Sequence, residues 1–248
     1  MPAWRDILQK WARQAQIPSG ACRFALHDDA LLPLAIGQLC LARSSRLLVV
    51  AADSGRAEAL ATALSSMLKL LGETRPVIPL PEVALGRRQW IPENEAGRCA
   101  ALDAALSGRN AIFVTTAAVL LSETITPKNY REQSFTLRKG MSIAPDALAK
   151  KLVELDYDNE FEVQRPGEFA RRGGIMDIYS PLYDAPVRME FWGDDIDSMR
   201  FFLPDTQRSF RDTPELCIVP RGMAMLEDTD GDKAKVHDFF ADDLPLVL

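Results

Sequence analysis

The residues best equipped for chemistry are guanidinium groups and one indole ring, and their chemistry is recognition rather than bond making. They fall between Arg165 and Ser209. Arg171 and Arg172 precede a glycine pair, Gly173 and Gly174, and the stretch Val187–Trp192 alternates apolar with polar residues. Side chains leave a strand on opposite faces with period two. Val187, Met189 and Phe191 then form a core face, and Arg188, Glu190 and Trp192 form the other. A planar guanidinium matches a carboxylate in a two-pronged pair. Trp and Arg also carry much of the binding energy at protein interfaces. The plainer reading is a solvated sheet face with one stray tryptophan, because singly exposed apolar residues are ordinary.

The following segment pairs back as a hairpin. A loop of Gly193, Asp194 and Asp195 sets Met189 opposite Met199 and Val187 opposite Phe201, keeping apolar residues on one face. The same register sets Arg200 opposite Arg188. Two adjacent arginines repel unless an anion or carboxylate sits between them, which hints at an acidic partner from outside.

Other chemistries lack their residues. His27 and His237 are the only histidines, so neither a zinc site nor a Ser-His-Asp triad is expected. Cys22, Cys40, Cys99 and Cys217 are scattered without C-x-x-C spacing and read as reduced thiols of a cytoplasmic protein. Met1–Ile17 reads as an amphipathic helix, not a signal peptide. No apolar run approaches the roughly 18 residues of a membrane span.

The elements that position these residues fall into blocks. Residues 1–126 alternate helix and strand: helices over Ala30–Ala42, Gly55–Leu71 and Glu93–Leu106, and strands over Arg46–Ala51, Pro76–Leu80 and Asn110–Thr115. Continuous apolar strands between helices predict a doubly wound α/β lobe with a parallel sheet. The turn after RLLVVA decides what such a lobe can bind. A phosphate-binding loop needs G-x-x-x-x-G-K-[ST], whose backbone amides and lysine hold phosphates. Here the turn is Ala52, Asp53, Ser54, Gly55, Arg56, Ala57 and Glu58. Asp53 or Ser54 reads as a helix N-cap, with Glu58 near a capping-box position. No nucleotide cofactor and no metal is expected.

Residues 127–222 read as an α+β domain, with a strand at Ser134–Arg138, a helix over Pro145–Leu155 that the proline starts, the strand-rich block, and a strand at Leu216–Val219. Residues 223–248 are acidic, helical at best, and end in what looks like the beginning of a strand. Residues 1–126 hold 13 Lys+Arg against 11 Asp+Glu, and residues 127–248 hold 16 against 24. That is not the basic surface of a stand-alone nucleic-acid binder.

The strings GEFARRGGIMDIYSP and PVRMEFWGDDIDSMRFFLPDTQRS resemble the module shared by the bacterial repair proteins UvrB and transcription-repair coupling factors. The matching positions are Gly167, Glu168, Phe169, Arg172, Gly173, Asp177, Pro186, Arg188, Glu190, Phe191, Asp195, Ile196, Asp197, Ser198, Arg200, Thr206, Gln207, Arg208 and Ser209. The resemblance implies a vestigial P-loop (RecA-like) three-layer lobe without Walker A, followed by an inserted α+β domain like UvrB domain 2. It implies UvrA as the partner, with Arg172 and Arg188 as the binding arginines and Trp192 in the place of an interface phenylalanine. Arg171, Glu190 and Arg200 are further candidates for that surface. The bland alternative for the arginines is an internal ion pair, such as Arg188 with the neighbours of Glu190 or Arg172 with Asp177.

On this reading the chain is an N-terminal fragment (1–126, 127–222, and a returning α/β segment from 223) of a longer ATP-dependent DNA translocase. It recruits excision repair to stalled RNA polymerase without being catalytic itself, and later domains of the full-length protein mask its UvrA surface. The competing class is a UvrB-like ATPase or helicase piece that touches DNA directly. The PEVALGRRQWIP stretch, with Trp90 beside Arg87 and Arg88, is its weak counterpart of an aromatic DNA-threading hairpin.

Overall fold

The computed structural model describes residues 32–42, 46–83, 92–221, 233–240 and 244–247. The readings at Met1–Ile17, Cys22, His27, and Arg87, Arg88 and Trp90 lie outside the described residues. In chain order the elements are α1 (Leu32–Ala42), β1 (Leu47–Ala51), α2 (Ser54–Leu71), β2 (Val77–Pro79), α3 (Pro92–Leu106), β3 (Ile112–Thr116), α4 (Ala117–Leu121), β4 (Glu123–Ile125), α5 (Pro127–Gln133) and β5 (Phe135–Arg138). Then follow α6 (Pro145–Glu154), β6 (Asp158–Asn159), β7 (Glu168–Arg172), β8 (Ile175–Ile178), β9 (Val187–Trp192), β10 (Asp195–Phe202), β11 (Ser209–Asp212), β12 (Glu215–Ile218), β13 (Lys233–Lys235) and β14 (Leu246–Val247). The fold is mixed α/β in two compact units. One comprises Met1–Pro81, Ser107–Leu120 and Phe240–Leu248, the other Glu82–Leu106 and Leu121–Phe239.

The first unit is built on a parallel sheet in the order β14-β1-β3-β2. Its central strands are the continuous apolar runs, and every residue of β3 is buried. α2 covers the sheet with Leu60, Ala61, Leu64, Leu68 and Leu71, spaced as one helical face. Asp53 is its N-cap, accepting from the Arg56 amide at 2.8 Å. Arg56 occupies the third helical position, so Glu58 falls beyond reach of a capping box. Gly72 ends the helix at φ 78°, its amide donating to the Leu68 and Lys69 carbonyls.

The second unit is organised by a six-stranded sheet in the order β11-β10-β9-β8-β7-β6, antiparallel except for the short β6–β7 pair. Its inner face buries Phe169, Met176, Ile178, Val187, Met189, Met199 and Phe201 against Leu148 and Leu152 of α6 and Leu137, Leu216 and Ile218 of the β5–β12 pair. Burying each such side chain stabilises by roughly 1.5–3 kcal/mol, which pins the register of the whole sheet.

The β9–β10 register is Met189↔Met199, Arg188↔Arg200 and Val187↔Phe201, as the alternation predicts. Its turn differs. Trp192 pairs with Asp195 across a two-residue turn, Gly193 and Asp194, with Gly193 at φ 62°. The register then shifts between Ile196 and Ser198, so Asp197 is a bulge that restores the pairing a three-residue loop would give. The tail also departs from expectation. Lys233–Lys235 is a strand paired with β4 before a 3-10 turn at Val236–Phe239. No described helix is long and apolar enough to cross a membrane.

α3 belongs to this second unit, and Arg221 fastens it there. The Arg221 guanidinium is buried and donates Nε to Glu95 of α3 at 3.0 Å. Its Nη1 meets the Asp158 carboxylate and the Gly167 carbonyl. Gly167 sits at φ 85°, and a Cβ there would lie 2.2 Å from the Arg221 Cδ, so only glycine fits.

Candidate functional site

The outward face of the six-stranded sheet carries the candidate residues. Cross-strand pairing places Ala170 and Arg172 of β7 beside Asp177 and Ile175 of β8. These lie beside Arg188 and Glu190 of β9, and then beside Arg200 and Ser198 of β10.

Along one part of this face, charge is satisfied within the sheet. Arg188 grips Asp177 with two bonds, Nε to Oδ1 at 2.8 Å and Nη2 to Oδ2 at 2.7 Å. Asp177 is 2% exposed. Its hydrogen-bonded carboxylate raises the Arg188 pKa above the usual arginine range against the cost of burial. Gln207 adds its side-chain oxygen to Arg188 Nη2 at 2.7 Å, and the guanidinium lies 4.5 Å from the Phe202 ring centroid. Gln207 itself holds the left-handed conformation, φ 57°, and its amide nitrogen donates to the Pro204 carbonyl. Phe202 is buried with Val163 and Ala170 in a small apolar cluster. Beside this group Arg200 pairs with Glu190, and Ser198 donates to Glu190 at 2.9 Å. The juxtaposed Arg188 and Arg200 therefore each have their own carboxylate, and the inference of an outside anion between them is withdrawn. The internal pair is Arg188 with Asp177, not Arg172 with Asp177.

At the adjoining end the face is unsatisfied. The β7–β8 turn, Gly173 at φ 59° followed by Gly174, and the β9–β10 turn lie at the same end of the sheet, where the Phe191 amide donates to Gly174 O at 2.8 Å. A Cβ on Gly174 would sit 3.2 Å from the Phe191 carbonyl, so the glycine allows this close approach. Arg172 stands here, exposed, with no carboxylate in ion-pair range among the described residues. Ile175 is 39% exposed and Trp192 84%. Ala170, Arg172, Ile175, Asp177, Arg188 and Gln207 line an open depression of about 190 Å³.

Of the six sequence candidates, Arg172, Arg188, Glu190, Trp192 and Arg200 share this face. Arg171 does not. It alternates onto the opposite face and pairs with Asp146 at the start of α6. The period-two pattern through Glu168–Arg172, with Phe169 as a core residue, carries that signal. Phe161, whose ring lies 5.2 Å from the Arg172 guanidinium carbon, belongs to no motif in the sequence.

What this arrangement can do is bind. It offers a strand scaffold, a cation with no carboxylate partner among the described residues, an internal ion pair beside it, and exposed apolar side chains at the rim. Among the described residues no His/Cys/Asp/Glu group could hold a metal ion.

Comparison with known proteins agrees with the strand-rich unit as the informative part. Residues 135–223 match the family described as UvrB interaction domain. The chain is 37% identical over 186 residues to the transcription-repair-coupling factor of Mycobacterium bovis, covering 72% of this chain and 14% of that protein. It is 41% identical over 96 residues to the factor from Myxococcus xanthus, covering 39% of this chain and 8% of the relative. With the factor from Bacillus subtilis it shares 34% over 129 residues, 52% of this chain and 11% of the relative. The matched stretch thus spans no more than about a seventh of each of these relatives. The chain is similar to the N-terminal, UvrB-homology region of transcription-repair-coupling factors.

Proposed function

We propose that this chain, as the UvrB-homology region of a transcription-repair-coupling factor, is a non-catalytic docking module that binds UvrA and so brings nucleotide excision repair to stalled RNA polymerase. The docking surface is the outward face of the six-stranded sheet. The observation that carries this reading is Arg172 with Ile175 and Trp192 on one face: a guanidinium with no carboxylate partner among the described residues and an indole 84% exposed, at hairpin ends inside the matched domain. Arg172 pairs with a UvrA carboxylate and Trp192 inserts as the apolar anchor. Arg188, held by Asp177, shapes the depression beside Arg172 on the side away from Trp192.

The parallel-sheet unit is a vestigial nucleotide-binding lobe on this reading. Its first strand runs into a turn where Asp53 caps α2. A carboxylate there repels phosphate at the helix end that a P-loop would use. ATP with magnesium is expected to leave the unfolding temperature of this chain unchanged, and a shift would favour the ATPase alternative.

The decisive test is binding of the purified chain to UvrA from the same source by biolayer interferometry, wild type beside Trp192→Ala and Arg172→Ala. Binding by wild type, weakened by about 1–3 kcal/mol in each folded variant, is the expected result. No binding by folded wild type sinks the proposal.

A further inference from the structure

Phe161 follows β6 and lies outside the motif strings, yet it is 83% exposed. Among the described residues only Trp192, at 84%, matches it, and the next large hydrophobic, Leu121, is at 62%. No core requires this ring. Its backbone is nevertheless fixed, since the neighbouring Glu160 amide donates to Phe169 O of β7 at 2.8 Å. The ring stands against Arg172 at 5.2 Å, the distance of a cation–π contact. Arg172 pairs with Ile175 across β7–β8, Ile175 pairs with Glu190 across β8–β9, and Trp192 is the next outward residue along β9. Strands lie roughly 4.8 Å apart, so β7 to β9 spans about 10 Å. The two most exposed aromatics among the described residues therefore flank Arg172, Ile175 and the Arg200-paired Glu190 on one stretch of this face.

We infer that Phe161 is a second aromatic anchor of the UvrA-docking face. The matching surface of the partner is then a carboxylate bordered on both sides by apolar side chains. This rests on the docking reading above. The carboxylate meets Arg172, which has no acidic partner among the described residues, and the apolar borders cover Phe161 and Trp192. Covering both rings excludes water from the Arg172 pair, and an ion pair strengthens as the effective dielectric falls. Phe161 also restrains Arg172 before binding, which lowers the ordering cost of the pair.

The test is the kinetics of this chain on immobilised UvrA. The variants are Phe161→Ala, Phe161→Tyr, and Val153→Ala as an exposed apolar control on α6, with Phe161→Ala repeated in an Arg172→Ala background. Phe161→Ala should weaken binding about tenfold, mainly through faster dissociation. Phe161→Tyr should stay within about threefold of wild type, because the ring is kept. Val153→Ala should bind like wild type. In the Arg172→Ala background Phe161→Ala should still weaken binding, since the ring itself is buried by the partner. If Phe161→Ala binds like wild type while Trp192→Ala does not, docking stands and the second anchor is wrong. If the Phe161→Ala effect disappears without Arg172, Phe161 only positions the arginine and the direct contact is overturned. If wild type does not bind UvrA, the docking reading falls and takes this inference with it.

Discussion

Arg188 and Arg172 lie on one face of one sheet, a few residues apart across two strands, and live in opposite circumstances. Arg188 has a buried carboxylate, an amide oxygen and an aromatic ring around it. Arg172 has an exposed phenylalanine and no acid among the described residues. The same contrast holds for aromatics, with Phe202 fully buried under Arg188 and Trp192 open at the hairpin end. A guanidinium held by its own carboxylate stiffens the sheet, and one without a carboxylate is free to pair with another molecule. The arginine-rich motif thus divides into scaffold and contact, and loss of binding in an arginine variant means different things at its two ends.

Five substitutions sharpen that division, from the largest effect to the smallest. Arg188→Ala leaves Asp177 buried without a counter-charge, and breaking such a pair costs about 3–5 kcal/mol. Urea unfolding should show it, and replacing both partners by Arg188→Met with Asp177→Leu should recover most of the loss. An Arg188→Ala protein as stable as wild type would move Arg188 to the contact side. Gly167→Ala sets a Cβ into Arg221 at a left-handed backbone position, and a loss of about 2–3 kcal/mol is expected in the same assay.

Trp192→Ala and Arg172→Ala should do the reverse. UvrA affinity should fall by about 1–3 kcal/mol in titration calorimetry, while the unfolding free energy stays within about 0.5 kcal/mol of wild type. Destabilisation on the scale of Arg188→Ala would erase the distinction between the two ends. Arg200→Ala is the mildest. Its pair with Glu190 is more than one-third exposed on each side, and such pairs are worth about 1 kcal/mol at most. Thermal unfolding of Arg200→Ala beside Glu190→Ala would test whether the two losses coincide.

Much of the frame is legible from the residues because its causes are local or periodic. The apolar runs Leu47–Ala51 and Ile112–Thr116 become parallel neighbours in one sheet. Asp53 caps α2 from within its own turn. The alternation from Val187 to Trp192 sets the inward face and, through the apolar match with Met199 and Phe201, the hairpin register. A one-residue slip would expose the whole core set, so the pattern leaves little freedom. The turn is less legible. A bulge at Asp197 and a three-residue loop give the same downstream pairing, and the choice between them depends on local backbone twist.

The candidate site is legible as a composition and opaque as an arrangement. That Arg172, Arg188 and Trp192 share a face follows from period two, and the same rule sends Arg171 to the side of α6. Which arginine is already satisfied does not follow. Asp177 reaches Arg188 from the adjacent strand, Gln207 reaches it from a loop 19 residues on, and Glu95 reaches Arg221 over 126 residues. Phe161 gives no periodic signal because it stands in a loop beside β7. Periodicity decides the face to which a side chain points. Whether its charge or ring is then covered depends on what the folded chain brings beside it, and only the tertiary structure decides that.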